Sequence, residues 1–293
     1  MKSEPYLGNP IRCKAVLNKY GFVFRKQYGQ NFLIDGTVLD GIVSAAGIGP
    51  EDAVLEIGPG IGSLTQYLAS AAGSVTAVEL DKALLPILAD TLSGWDNVRI
   101  VPGDILKLDV PALAEEIGGG RPVKVAANLP YYITTPILMK LFESRANFSS
   151  ITVMVQKEVA ERMETGPGSK AYGALSLAVQ YYAKPERVLT VPAASFIPRP
   201  HVDSAVIRLT CHETPPVTPK SEALLFSLIR ASFQQRRKTL ANGIANSGEI
   251  PCGREAAQAA IETAGLPANV RGETLTLAEF AALSDALYAE LNA

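Results

Sequence analysis

Residues 123–137, VKVAANLPYYITTPI, run as β-branched, apolar chain into Asn128, Leu129, Pro130 and Tyr131. A buried strand that stops on these four groups presents the Asn128 side-chain oxygen and the Leu129 carbonyl as acceptors, with Tyr131 as a ring beside them. Pro130 locks its own φ near about −65° and keeps Leu129 extended, which fixes the direction of that carbonyl. Tyr132 follows, and strand alternation points it back into the core. A second chemical stretch lies upstream. VLEIGPGIGSLT (54–65) reads as strand, glycine turn and helix start. In an open α/β sheet, ligands sit beyond the C-terminal strand ends beside such a helix, and glycines let the backbone approach them. The dinucleotide fingerprint needs G-x-G-x-x-G/A; here Gly58, Gly60 and Gly62 run G-x-G-x-G and Ser63 holds the third fingerprint position. Glu56, just ahead of the loop, suits a cationic or amine-bearing ligand better than a pyrophosphate. Glu79 closes the next strand-like run, 21 residues after Gly58, and Asp104 follows the third. Three acids in order on consecutive strands, together with the loop, outweigh the alternative that each is a solvated loop residue or a helix cap.

The elements that must hold these groups are legible in the same chain. DAVLEIG (52–58), SVTAVEL (74–80), NVRIVPGD (97–104), VKVAANL (123–129) and ITVMVQ (151–156) are short, apolar and β-branched. GSLTQYLASAA (62–72) and ALLPILADTL (83–92) have helical spacing. Continuous apolar strands alternating with helices predict a parallel sheet covered on both faces, a doubly wound α/β domain. Residues 1–36 are basic and precede the first strand, as an arm or lid; the α/β domain takes 37–212. HETPPVTPK (212–220) reads as a linker, and 213–293 as a small all-helical domain.

Composition narrows the function classes. The chain has 293 residues, 47% hydrophobic, enough for a large core. It has no apolar run of membrane-spanning length, and its first residues lack a secretion signal. Cys13, Cys211 and Cys252 are too widely spaced for a disulfide framework or structural zinc, which fits a reducing cytoplasm. The net charge of −2 hides an asymmetry: residues 1–35 carry 6 Lys and Arg against 2 Asp and Glu, and residues 128–240 carry 14 against 8. Local patches decide polyanion binding, since screening limits phosphate contacts to roughly 8–10 Å.

The E-x-G-x-G-x-G pattern resembles motif I of S-adenosylmethionine-dependent methyltransferases, and Asn-x-Pro-aromatic resembles the (Asp/Asn)-Pro-Pro-(Tyr/Phe) motif of amino-methyltransferases. The exocyclic amine of adenine is a poor nucleophile because its lone pair is delocalised. Acceptors on its N–H bonds, the Asn128 oxygen and the Leu129 carbonyl, favour a pyramidal nitrogen with a localised pair. No histidine base is needed, so His201 and His212 require no catalytic role.

With KQYGQNFL (26–33), VQKEVAERM (155–163), GALSLAVQYY (173–182), ASFIPRPHVDSAVIRL (194–209) and SFQQRRKTLANGI (232–244) in this order, the chain resembles the ribosomal RNA small-subunit adenine N6-dimethyltransferases of the KsgA/RsmA type, from about residue 26 to the end. The resemblance implies dimethylation of two adjacent adenosines near the 3′ end of small-subunit rRNA in the immature 30S particle. S-adenosyl-L-methionine would be the methyl donor, with no metal. Nothing in the sequence requires more than a monomer, and a cytoplasmic location without membrane attachment is expected from the cysteines and the apolar runs. Asn31, Leu33, Gly58, Gly60, Glu79 (ribose), Asp104 (adenine) and Asn128 would hold the cofactor. Tyr131 and Phe196 would stack on opposite faces of the target base, Phe196 in a loop stiffened by Pro192, Pro198 and Pro200. Arg236, Arg237 and Lys238, expected on a helix starting near Ser221, would join Arg230, Arg199 and the Lys19/Arg25/Lys26 arm in a basic rim for phosphates. A base must leave its stack to enter such a pocket, so the substrate is single-stranded or splayed RNA. The competing expectations are a large-subunit methyltransferase of the antibiotic-resistance type, a non-catalytic subunit assembly factor, and a nicotinamide oxidoreductase. The residues before Lys26 exceed what the motif requires.

Overall fold

The five strand-like runs and the two helical patterns between them all form in the computed structural model, which describes residues 4–25 and 28–292. In chain order the elements are α1 (Pro10–Lys19), β1 (Phe32–Leu33), α2 (Gly36–Ala45), β2 (Ala53–Ile57), α3 (Ser63–Ala71), β3 (Ser74–Glu79), α4 (Leu85–Thr91), β4 (Val98–Pro102), α5 (Val110–Gly118) and β5 (Val123–Asn128). There follow α6 (Thr134–Glu143), β6 (Phe148–Gln156), α7 (Lys157–Glu164), α8 (Ala174–Tyr182), β7 (Ala183–Val191), β8 (Phe196–Ile197), β9 (Ser204–Cys211), α9 (Glu222–Gln234), α10 (Leu240–Ala245), α11 (Arg254–Thr263) and α12 (Leu277–Leu291).

Seven strands form one sheet in the order β4-β3-β2-β5-β6-β9-β7, and β1 pairs with β8 in a separate ladder. β2 lies parallel to β3 and β5, β3 to β4, and β5 to β6. All five residues of β2 are buried, as a central strand covered on both faces must be. The chain builds outward from β2 through β3 to β4, then returns to the other side of β2 as β5. That reversal opens a crevice beyond the C-terminal ends of β2 and β5, where an open α/β sheet binds its ligand.

The sheet is mixed where the sequence predicts it parallel. β9 runs antiparallel to β6, from Ser150 opposite Thr210 to Gln156 opposite Ser204. No local pattern in an apolar segment such as SAVIRLTC fixes its direction. β7, AKPERVLTV, is an edge strand whose charges and Pro185 interrupt any apolar run, the usual protection of an exposed edge.

The residues ahead of the sheet are not a free arm. Leu7, Cys13 and Leu17 are buried in the core cluster. The Tyr6 and Leu7 amides donate to Gln66 Oε1 at 2.9 and 3.1 Å, while Gln66 Nε2 donates to the Thr91 carbonyl at 2.8 Å. One buried glutamine thus joins the N-terminal segment to α3 and α4. Burial pushes the Cys13 thiol up to about 11, which keeps it neutral and inert.

The chain divides into two compact units, residues 1–160 with 186–211, and residues 161–185 with 212–293. The second unit therefore includes α8, which the sequence reading leaves in the α/β domain. The reason is aromatic packing: Tyr181 and Tyr182 meet Phe226 of α9 at 5.2 and 5.6 Å, and Tyr172 meets Phe233 at 5.8 Å. Beyond residue 212 the regular elements of this unit are helices, closed by a Thr276–Glu279 capping box on α12. Among the described residues no helix is long and apolar enough to cross a membrane.

Candidate active site

The crevice is a cleft of about 1040 Å³ including the solvent in its mouth, built wholly within the first unit. The ends of β2, β3 and β5, the loop after β4 and residues 28–33 line it. Asn31, Leu33, Gly58, Gly60, Glu79, Asp104, Asn128, Leu129, Pro130 and Tyr131 all do so, so the groups expected at the site from distant parts of the sequence converge.

The glycine turn is required by geometry at Gly60. Its φ is +62°, and a Cβ there would stand 2.9 Å from the Phe32 ring. The Gly60 amide donates to Glu79 Oε2 at 3.3 Å, and the Asp81 amide to Glu79 Oε1 at 2.7 Å. Glu79 is thereby aimed into the cleft. Burial raises its carboxyl to about 7, against the lowering effect of those two amides. Glu56 is only 1% exposed, and its Oε2 has no hydrogen-bond partner. Burial raises it to about 8, with a further push from the negative Glu79. An orphaned acceptor beside a second acid calls for a positively charged or N–H-bearing ligand. The residues present therefore fit S-adenosylmethionine, which carries an ammonium and a sulfonium. Asp104 stands at the cleft with Oδ1 accepting the Leu106 amide at 3.1 Å.

On the other side of the switch point, Asn128 Nδ2 donates to the Asn31 carbonyl at 3.0 Å. That bond assigns the amide orientation and leaves Oδ1 as the acceptor available to a ligand. The Leu129 amide donates to the Met154 carbonyl at 3.2 Å, and Pro130 has φ −59° and ψ 131°. The Leu129 carbonyl is thus set by a sheet bond on one side and a proline ring on the other. Tyr131 is half-buried, its hydroxyl 2.6 Å from Ser204 Oγ on β9.

Three expectations are corrected here. Phe196 is 3% exposed, belongs to the core cluster and does not line the cleft. It pairs with Leu33 in the β1–β8 ladder, where Leu33 lines the cleft and Phe196 belongs to the core cluster. Tyr132 does not point into the core; it is 57% exposed and lines the cleft. Strand alternation stops at Asn128, because Tyr131–Ile133 is a 3₁₀ turn with three residues per turn. Arg236, Arg237 and Lys238 are not on a helix: α9 ends at Gln234, and Gln235 (φ −127°, ψ 53°) leaves helical geometry.

The cations also differ in availability. Lys19 pairs with Asp90 at 2.6 Å, Arg25 with Asp81 at 3.1 Å, Arg230 with Glu249 at 3.2 Å and Arg236 with Glu273 at 3.3 Å. Arg199, on the first unit, and Arg237 and Lys238, on the second, are exposed and carry no ion pair among the described residues. Lys26 lies outside the described residues. No group of three or more His, Cys, Asp or Glu among the described residues is arranged to hold a metal.

Sequence reasoning overlooked Asp81, which is only 2% exposed. Its carboxylate accepts from Arg25 Nη1 at 3.1 Å and Gln30 Nε2 at 2.8 Å, while its amide holds Glu79. It ties Arg25 and Gln30 to the end of β3 that carries Glu79. An acid two positions beyond Glu79 is the only local signal for it.

A seven-stranded sheet in this order, with an acid-bearing glycine turn after its first central strand and Asn-Leu-Pro-Tyr after the fourth, defines a class I S-adenosylmethionine-dependent methyltransferase. The model of the family described as ribosomal RNA adenine dimethylase matches residues 21–288. The chain belongs to that family. A curated relative from Lachnoclostridium phytofermentans, named ribosomal RNA small subunit methyltransferase A, is 60% identical over 96% of this chain and 97% of its own. One of the same name from Geobacillus thermodenitrificans is 52% identical over 96% and 97%. Among solved structures, a dimethyladenosine transferase from Plasmodium falciparum is 28% identical with a TM-score of 0.72, covering 86% of this chain and 95% of its own. The 23S rRNA methyltransferase ErmE is 27% identical with a TM-score of 0.63, covering 88% and 99%.

Proposed function

We propose that this enzyme dimethylates N6 of two adjacent adenosines near the 3′ end of small-subunit rRNA, in the immature 30S particle, as a cytoplasmic monomer. The observation that carries the chemistry is the Asn128–Asn31 bond, which uses one amide hydrogen of Asn128 to fix the side chain and leaves its oxygen as the acceptor. Asn128 Oδ1 and the Leu129 carbonyl accept the two N–H bonds of the target amine and draw its lone pair out of the ring. Tyr131 offers its ring to the base, anchored through its hydroxyl to Ser204.

When bound, S-adenosylmethionine supplies an electrophilic methyl on a sulfonium. Glu79 and Asp104 hold the ribose and adenine ends of that cofactor, Asn31 and Leu33 its side, and Glu56 faces its positive charge. The amine would form its N–C bond as the methyl–sulfur bond breaks to leave a neutral thioether, and would afterwards give its extra proton to water, so no side-chain base is needed. Arg199, Arg237 and Lys238 bind phosphates, while Arg230 and Arg236 hold their own acidic partners and shape the second unit.

The small-subunit assignment is supported by the 60% identity to a protein of that name, against 27% to the large-subunit enzyme. A primer-extension scan of both rRNAs from a strain lacking this gene tests it. Loss of the stop at paired adenosines of the small-subunit RNA is expected; loss only in large-subunit RNA would overturn the assignment.

A further inference from the structure

Tyr132 is the one group of the Asn-Leu-Pro-Tyr-Tyr segment that the chemistry above leaves idle, yet it is the most exposed ring of the cleft. The residue is 57% exposed and lines the cleft, so its ring is open to a ligand there. Its ring is not loose. Gly29 has φ +54°, and a Cβ there would meet Tyr132 Cδ1 at 3.0 Å and Cε1 at 3.2 Å. The missing side chain at Gly29 is what lets one side of the ring rest on backbone. Gly29 is itself held, since its carbonyl accepts Asn31 Nδ2 at 3.3 Å and the Asn31 carbonyl accepts Asn128 Nδ2 at 3.0 Å.

The two tyrosines also diverge. Tyr131 sends its hydroxyl to Ser204 on β9, whereas Tyr132 lies against the 28–31 segment on the opposite side. Consecutive residues of a 3₁₀ turn are about 120° apart, so the rings occupy different parts of the rim.

Resting on the methyltransferase reading above, we propose that Tyr132 is a second stacking platform, which receives the nucleobase adjoining the target adenosine once the target has left the stack. Extrusion of one base strips its neighbour of a stacking partner, and an exposed ring beside the pocket restores it. Phe196, 3% exposed on β8 beside β1, does not line the cleft. The platform reads an aromatic face and no base edge, so it accepts whichever base adjoins the target.

The test is steady-state kinetics of the purified protein on under-methylated small subunits, with KM for subunits and for S-adenosylmethionine measured separately. Tyr132→Ala is expected to raise KM for subunits roughly tenfold, with KM for the cofactor unchanged and Tyr132→Phe near wild type. An unchanged KM for subunits in Tyr132→Ala overturns the proposal. So does a Tyr132→Phe enzyme as impaired as Tyr132→Ala, or an equal rise in KM for the cofactor, which would make Tyr132 a prop for the 28–31 segment. Binding of S-adenosylmethionine by Tyr132→Ala, read by thermal shift, reports that the variant is folded. The methyltransferase reading fails separately, by undiminished activity in Asn128→Ala.

Discussion

Asn128 Nδ2 donates to the Asn31 carbonyl at 3.0 Å, joining two residues 97 positions apart in the chain. The bond does two things at once: it fixes which atom of Asn128 faces the cleft, and it ties the 28–33 segment to the strand end that meets the substrate amine. Asn128→Ala should therefore lower kcat by about 10²–10³ while leaving the protein folded. Asn128→Asp retains an acceptor but loses the donor to Asn31, and should fall between the two. Single-turnover methylation of under-methylated small subunits, with thermal melting as the control for folding, measures both.

Glu56 and Glu79 set a pH dependence of stability in the cofactor-free protein. Their folded pKa values, about 8 and about 7, lie above the ordinary value of 4.5 because burial disfavours the charged carboxylate. The folded protein thus holds more protons than the unfolded chain between about pH 4.5 and 8, and stability falls as pH rises through that window. Glu56→Gln should flatten the fall and stabilise the empty protein at pH 8 by on the order of a few kcal/mol. Asp52 and Asp90, whose pKa values are lowered, act only below this window. Melting temperature against pH for both proteins decides it; parallel curves would refute the assignment of the slope to Glu56.

Asp81 acts through its neighbours. Asp81→Ala removes the acceptor for Arg25 and Gln30 and loosens the hold on Gln30, which lines the cleft beside Glu79. KM for S-adenosylmethionine should rise about tenfold, with kcat at saturating cofactor and KM for small subunits little changed, since a charge-assisted pair of bonds is worth roughly 1.5–3 kcal/mol. A fall in kcat alone would place Asp81 in the chemistry instead.

Arg237 and Lys238 are exposed and unpaired among the described residues, so they are free to meet phosphates. Replacing both by Ala should weaken binding of small subunits and reduce the slope of log K against log salt by about 2. Arg236→Ala should instead show mainly as lost stability, because its guanidinium bonds the Lys170 carbonyl and Glu273 and stacks on Phe233.

What could be read in the sequence follows a physical line. Short-range patterns announced themselves: the buried β2, the glycine turn, the acids at strand ends and the proline after Asn128 are each dictated by a few neighbouring residues. Long-range pairings did not. The ladder of β1 with β8 decides that Phe196 is buried, and no local feature of ASFIPRP reports it. Tyr132 faces outward because alternation ends at Asn128, four residues before it, and the 3₁₀ turn sets its direction instead. The Arg236 ion pair and the Asp81 clamp likewise depend on partners distant in sequence, Glu273 and Gln30.

The central claim is tested most directly by mass spectrometry of rRNA fragments after reaction of the purified protein and S-adenosylmethionine with under-methylated small subunits. The account predicts four added methyl groups on one fragment near the 3′ end of the small-subunit rRNA, two on each of two neighbouring adenosines, and none with Asn128→Ala. Methylation confined to large-subunit RNA, or equal incorporation by both proteins, would contradict it.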